Sequence, residues 1–216
     1  MASLRAVLIA SGFVFAGCGP ALAQSATPMQ TVQMPAEPAP VAVTLKPATT
    51  AVLVADMIDP TCKTQPKCTG SMVPAIAGLL DRARKAGVMV VHATRAGKDA
   101  KFLPETTPAP GDTIIPNTGQ DRFYDTKLDE ALKAKGITTL ILTGWKISGS
   151  VLYTSVGATL RGYTVVIPRD ASRAGPDYEE AIGVYQILNQ SAANPVNEPL
   201  KAKATTISRT DMITFQ

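Results

Sequence analysis

Residues 50–59 read Thr50-Ala51-Val52-Leu53-Val54-Ala55-Asp56-Met57-Ile58-Asp59. The apolar run Ala51–Ala55 shows no alternation, which is the pattern of a strand buried on both faces, as in the middle of a parallel sheet. Asp56 closes the run and places a carboxylate at the strand's C-terminal end. Downstream the period changes. Met72–Ala86 puts Val73, Ile76, Leu80 and Ala83 on one helical face, with Gly87 as a stop. Val88-Met89-Val90-Val91 is a second buried strand. Residues 96–124 hold several prolines and glycines around a short Thr113-Ile114-Ile115 strand and read as a long loop region. A short helix over Asp125–Lys135, ended by Gly136, precedes the strand Thr139-Leu140-Ile141-Leu142. The helix Ser150–Arg161, ended by Gly162, precedes the strand Thr164-Val165-Val166-Ile167; Pro176–Gln190 is helical and Ala204–Ile207 is a last short strand. Strands alternating with helices imply parallel βαβ units. The expected fold is α/β, a three-layer α/β/α sandwich with a mainly parallel, Rossmann-like sheet.

Upstream of this pattern the chain has another character. Met1–Arg5 is short and basic, Ala6–Ala16 is apolar, and Ala21-Leu22-Ala23 is a small-x-small site before Gln24. That is the order of a secretory signal peptide over residues 1–23, and the apolar run is too short for a spanning helix of about 20 residues. Phe15-Ala16-Gly17-Cys18 leaves lipidation at Cys18 open as the alternative processing. Either route exports the protein, periplasmic or secreted, without a membrane span. Residues 24–47 are rich in Pro, Ala, Thr and Gln and read as a flexible lead-in to one domain over 48–216. In an oxidising compartment Cys62 and Cys68 read as a disulfide closing a short loop. A reactive thiol or zinc site has less support, because two cysteines and the single His92 do not complete a zinc set. No metal or other cofactor is demanded. The formal charge of +4 is small and scattered, which argues against a nucleic-acid partner.

In open parallel sheets, ligands bind beyond the carboxyl ends of the strands. Three such ends carry chemistry here: Asp56, the turn Gly144–Ser150, and Asp170. Each alone is as well read as a helix cap or loop anchor. Together they mark one edge of the sheet as a site.

At these residues the chain resembles the isochorismatase-like cysteine hydrolase family. Val54-Ala55-Asp56-Met57-Ile58-Asp59 is similar to its first-strand motif, and Phe123-Tyr124-Asp125-Thr126-Lys127-Leu128 to its Phe-x-x-Thr-x-Leu segment. Gly136–Gly144 is similar to its fourth strand. Thr154, Ala158, Arg161-Gly162-Tyr163 and Arg169-Asp170-Ala171 follow in the same order. The resemblance covers roughly residues 50–190. It implies hydrolysis of a small amide, ester or vinyl-ether substrate by an aspartate, a lysine and a cysteine at a helix N-terminus, and homo-oligomers as the common assembly. The thiolate attacks, the aspartate moves protons, and backbone amides hold an oxyanion.

Asp56 carries over directly, and two positions depart. Ser150, in Lys146-Ile147-Ser148-Gly149-Ser150-Val151, stands at the cysteine position. Asn117 falls near the lysine position, and no lysine lies between Lys101 and Lys127. A serine hydroxyl needs a positioned base to become a nucleophile. Asp56 is one candidate for that base. His92 reads better as a packing residue at a strand end. Lys146 is either the replacement cation or an ordinary loop lysine. Trp145 is either a pocket wall or core packing, and Gly149 and Phe123 complete the expected binding surface. Two function classes stay open: a hydrolase, or a non-catalytic binding or scaffold protein that kept the fold.

Overall fold

The computed structural model describes residue 31 and residues 33–190 and 192–216. The expected signal peptide 1–23 and Cys18 lie outside the described residues. The compact unit Met34–Gln216 carries the regular structure of the described residues. Its elements in chain order are β1 (Val43–Leu45), β2 (Thr50–Ala55), α1 (Asp59–Cys62), α2 (Val73–Lys85), β3 (Met89–Thr94), β4 (Thr113–Pro116), α3 (Leu128–Ala134), β5 (Thr139–Gly144), α4 (Leu152–Leu160), β6 (Thr164–Pro168), α5 (Asp177–Asn189), β7 (Thr205–Ser208) and β8 (Ile213–Phe215) among the described residues.

Six strands form one sheet in the order β4-β3-β2-β5-β6-β7, and every pairing is parallel. β2 is buried along its whole length, as its unbroken apolar run requires. Its side chains alternate between two cores. Ala51 and Leu53 join Leu128, Leu140 and Val184 on one face, while Val52 and Val54 join Ile76 and Leu80 of α2 on the other. Helices cover both faces, which makes the three layers. β2 pairs with β3 on one side and β5 on the other. The strand order therefore reverses between β2 and β5, and their carboxyl ends flank the crevice where such sheets place ligands.

The lead-in departs from the flexible segment expected over 24–47. Val43–Leu45 is a strand, paired in parallel with Ile213–Phe215, and Val43 and Leu45 are each 4% exposed. Hydrogen bonds from Val41 N–H to the Ile207 carbonyl (3.1 Å) and from Asn197 Nδ2 to the Ala39 carbonyl (2.9 Å) hold the chain still earlier. A domain boundary at residue 48 thus cuts through packed chain. Three residues are too few for a period to show, and the partner strand is 170 residues away, as the Thr44–Thr214 pair illustrates.

Cys62 and Cys68 are disulfide-bonded, and both are fully buried beside Met72 in the core under α2. Near this loop α5 carries an ionic hub. Glu180, 4% exposed, accepts from Lys67 (3.1 Å), Arg169 (2.9 Å), Arg173 (2.9 Å) and the Ala174 amide (3.1 Å). Burial pushes its carboxyl up, but these donors outweigh that and hold it down at about 2. The unfolded-state value lies near 4.5. Its stabilisation is therefore complete above that pH and is lost as the pH falls towards 2. We expect the unfolding free energy to drop by about 2 kcal/mol from this group between about pH 6 and pH 3. Urea unfolding at both pH values checks this, and the acid-side slope should flatten in Glu180→Gln. A slope that survives the substitution would place the acid lability elsewhere. Among the described residues no helix is long and apolar enough to cross a membrane.

Candidate active site

Asp56 is the first residue beyond β2. Its backbone takes φ +52°, in the left-handed region that Asp tolerates better than most side chains. Its N–H donates to the Ala93 carbonyl at 3.1 Å, the next rung of the β2–β3 ladder after Ala55 opposite Ala93, so the sheet holds its backbone at the strand end. β5 reaches the same edge through Gly144, at φ +118°. A Cβ there would overlap the carbonyl oxygen of Ala55 and come within 2.7 Å of its nitrogen. Only glycine lets β5 pass this close to β2. The Trp145 N–H then donates to that same Ala55 carbonyl at 3.1 Å, and the Trp145–Lys146 peptide is cis. A wide turn over Ile147–Val151 carries Ser150 into α4. This turn rests on α5 at Gly183, where a Cβ would lie 3.1 Å from the Ser148 nitrogen.

Ser150 and Asp56 meet. The Ser150 hydroxyl donates to Asp56 Oδ2 at 3.0 Å. The group that completes the site is Arg122, one residue before Phe123. Its Nη2 donates to Ser150 Oγ at 2.6 Å and is ion-paired with Asp56 Oδ2. Its Nη1 donates to the Gly119 carbonyl at 2.8 Å. The Arg122 side chain is 2% exposed against 19% for Asp56. Burial pushes the guanidinium down from its usual value while Asp56 pulls it up, and an arginine stays a cation under this balance. Carboxylate, hydroxyl and guanidinium therefore form a closed triangle at the switch point of the sheet.

The expected site residues separate into those that join this triangle and those that do not. Asn117 is buried nearby, but its Nδ2 donates to the Gly119 carbonyl at 2.9 Å and it bonds to neither Asp56 nor Ser150. It shares an acceptor with Arg122 and is not the cation's substitute. Of the two readings of Lys146, the geometry favours the loop lysine over the replacement cation, because its ammonium is ion-paired with Glu179, which also accepts from Ser148 Oγ at 2.7 Å. Gly149 lies beside Lys146, and its N–H already donates to the Lys146 carbonyl at 3.0 Å, so that amide is committed within the turn. Trp145 is half-buried against the core under α2. Phe123 is buried, stacked on Tyr163 with ring centres 5.7 Å apart, so it packs the core and does not line a site. Asp170 accepts from the Thr210 N–H at 2.9 Å and hydroxyl at 2.6 Å and anchors a loop. His92 is fully buried, with Nε2 3.2 Å from Asp112 Oδ2, and burial pushes its pKa down against the pull of that carboxylate.

Sequence reasoning misses Arg122 because a search for lysine passes over arginine. The chain does hold a signal: Arg122 is the one arginine between Arg95 and Arg161, and it abuts the Phe-x-x-Thr-x-Leu segment.

A family model described as "Isochorismatase domain" matches residues 50–195. A streptothricin hydrolase of Streptomyces noursei is 36% identical over 103 residues, 43% of this chain and 41% of that protein. The chain thus spans under half the length of that relative. A ureidoacrylate amidohydrolase of Rhizobium rhizogenes is 28% identical over 208 residues, 73% of this chain and 83% of that protein. Among solved structures, an isochorismatase family protein from Desulfovibrio vulgaris superposes with a TM-score of 0.58 at 26% identity. That match covers 64% of this chain and 89% of the other.

Proposed function

Because the chain belongs to the isochorismatase family, we propose that it is a hydrolase of small amides in which Ser150 is the nucleophile, Asp56 the base and Arg122 the cation. The observation that carries this reading is the triangle itself. Ser150 Oγ both donates to a carboxylate and accepts from a guanidinium, so its proton has a destination and the developing alkoxide has a counter-charge. In the first step Oγ bonds to the carbonyl carbon, its proton passes to Asp56, and Asp56 returns that proton to the departing nitrogen. Water then cleaves the resulting ester through the same carboxylate, which releases the acid and regenerates Ser150. In sum, one amide and one water become one acid and one amine. The amidohydrolase among its relatives supports amides ahead of esters or vinyl ethers. Ser150 stands in this reading where the family has its cysteine.

The test is an assay of the wild type, Ser150→Ala and Asp56→Asn against small carboxamides, ureido acids, esters and isochorismate-like ethers, joined to mass spectrometry after a serine-directed fluorophosphonate. We expect amide turnover that both variants lose by at least about a hundredfold, and an adduct on Ser150. Wild-type turnover that persists in Ser150→Ala overturns the nucleophile.

One observation favours a second reading, a binding protein on the same fold. Ser150 is only 8% exposed, and Arg122 already holds both it and Asp56. A wild type inert on the whole panel that still binds a small amide selects this reading. Export and homo-oligomers belong to the same proposal. The buried disulfide supports an oxidising compartment. Exposed Tyr178, Ile182 and Tyr185 on one face of α5 support self-association.

A further inference from the structure

Ser150, Thr154, Gly157 and Arg161 recur at helical spacing, so they lie along one face of α4 and its flanking turns. That face meets the segment Gln120–Phe123 residue by residue. Thr154 Oγ1 accepts the Arg122 N–H at 3.1 Å and donates to the Gln120 carbonyl at 3.3 Å. At Gly157 an added Cβ would lie 2.6 Å from Asp121 Oδ1, so the bare glycine is the notch that admits Asp121. Asp121 Oδ1 in turn accepts the Phe123 N–H at 2.9 Å. The Arg161 guanidinium sits 4.7 Å from the centre of the Phe123 ring and 3.9 Å from Asp121. On the other side of Arg122, Thr126 Oγ1 donates to its carbonyl at 2.6 Å. Thr154 itself is 1% exposed, and both of its bonds go to this segment.

We propose that Thr154 is a positioning residue for the Asp56–Arg122–Ser150 triangle, with Gly157 as its steric counterpart. The helix entered through the turn at Ser150 then holds the backbone of Arg122, so one element sets the spacing of nucleophile and cation. A long side chain projecting from an irregular loop has many rotamers. Fixing its backbone N–H and the nearby Gln120 carbonyl removes the freedom that would let the guanidinium leave Ser150. The proposal rests on the reading that Arg122 acts on Ser150.

The test reads that spacing without any substrate. Ser150→Cys places a titratable thiol at the same point, and Cys18→Ser in every protein leaves it as the free reporter, since Cys62 and Cys68 are disulfide-bonded. The thiolate is followed by its ultraviolet absorbance as a function of pH. The Arg122 guanidinium favours thiolate at this point while the Asp56 carboxylate opposes it, so the readout is the shift of the titration between variants that all keep Asp56. Arg122→Met should cut the thiolate fraction at about pH 7 roughly tenfold. Thr154→Val and Gly157→Ala should each cut it by several-fold, and Thr154→Ser should restore it. If Thr154→Val and Gly157→Ala leave the titration in place while Arg122→Met shifts it, the positioning role is overturned and the triangle stands. If Arg122→Met does not shift it either, the triangle itself is wrong. If Thr154→Val fails to fold, Gly157→Ala and Thr154→Ser decide the question.

Discussion

Arg122→Met should cut the proposed amide hydrolysis by about a thousandfold and destabilise the protein at the same time. Its guanidinium is buried and donates to three oxygens, on Gly119, Asp56 and Ser150. A methionine of similar bulk keeps the packing and removes every donor. Breaking a buried ion pair by deleting one partner costs about 3–5 kcal/mol. Asp56 keeps some contact with water, its side chain being 19% exposed, so we expect about 3 kcal/mol, read as a lowered urea midpoint. Loss of one preorganised donor to developing charge lowers turnover by about a hundredfold to a thousandfold. Here the same substitution also frees Asp56 from its partner, so a fall in kcat/KM of about a thousandfold is the expectation. Arg122→Lys retains the charge but not the fork that serves the Gly119 carbonyl and the Asp56–Ser150 pair together, and it should recover part of both losses. A variant with methionine here that matches the wild type in midpoint and rate would remove Arg122 from the site.

The largest effect on stability should come from Gly144→Ala. The new Cβ would overlap the Ala55 carbonyl oxygen and press on the Ala55 nitrogen at 2.7 Å. The backbone at φ +118° is strained for any L side chain besides. The obstacle is backbone on the central strand, so no side chain rotates away to relieve it. β2 and β5 would have to part where their six-residue register ends, at Ala55 opposite Gly144. Domains of this kind are stable by about 5–15 kcal/mol, and we expect Gly144→Ala to remove at least about 4 kcal/mol of it or to prevent soluble expression. Gly162→Ala is the matched control. It shares a positive φ, +90°, but a Cβ there meets nothing within 4 Å, so about 1 kcal/mol is expected. Equal unfolding midpoints for the two variants would show that the close approach is not real.

These two residues mark the limits of what is legible in the chain. Gly144 stands in a motif visible in the bare sequence, at the end of an apolar strand that could only be a buried one. Asp56 and Ser150 are legible for the same reason, since the strand and helix periods around them place them at one edge of the sheet, although the helix expected from Ser150 starts at Leu152, after a wide turn over Ile147–Val151. Lys146, four residues from Ser150, reads in the sequence as either a replacement cation or a loop lysine, and only the folded turn decides between them by delivering it to Glu179. Proximity in sequence does not say which way a loop side chain leaves its turn.

By itself, then, the sequence determines the parallel sheet, the carboxylate at the end of β2 and the hydroxyl in the turn that leads into α4. Each is written in a local pattern of burial, with the period of a strand or of a helix. Tertiary structure alone decides the cation. Arg122 lies in an irregular loop with no period, 66 residues from Asp56 and 28 from Ser150. What brings it there is the face of α4, through a threonine and a glycine that each look ordinary until the chain has folded. The same holds for Val43–Leu45, whose role as a strand depends on a partner near the other end of the chain. Contacts of that range leave no signature in any window of neighbouring residues, because closing the loop is the work of the whole core.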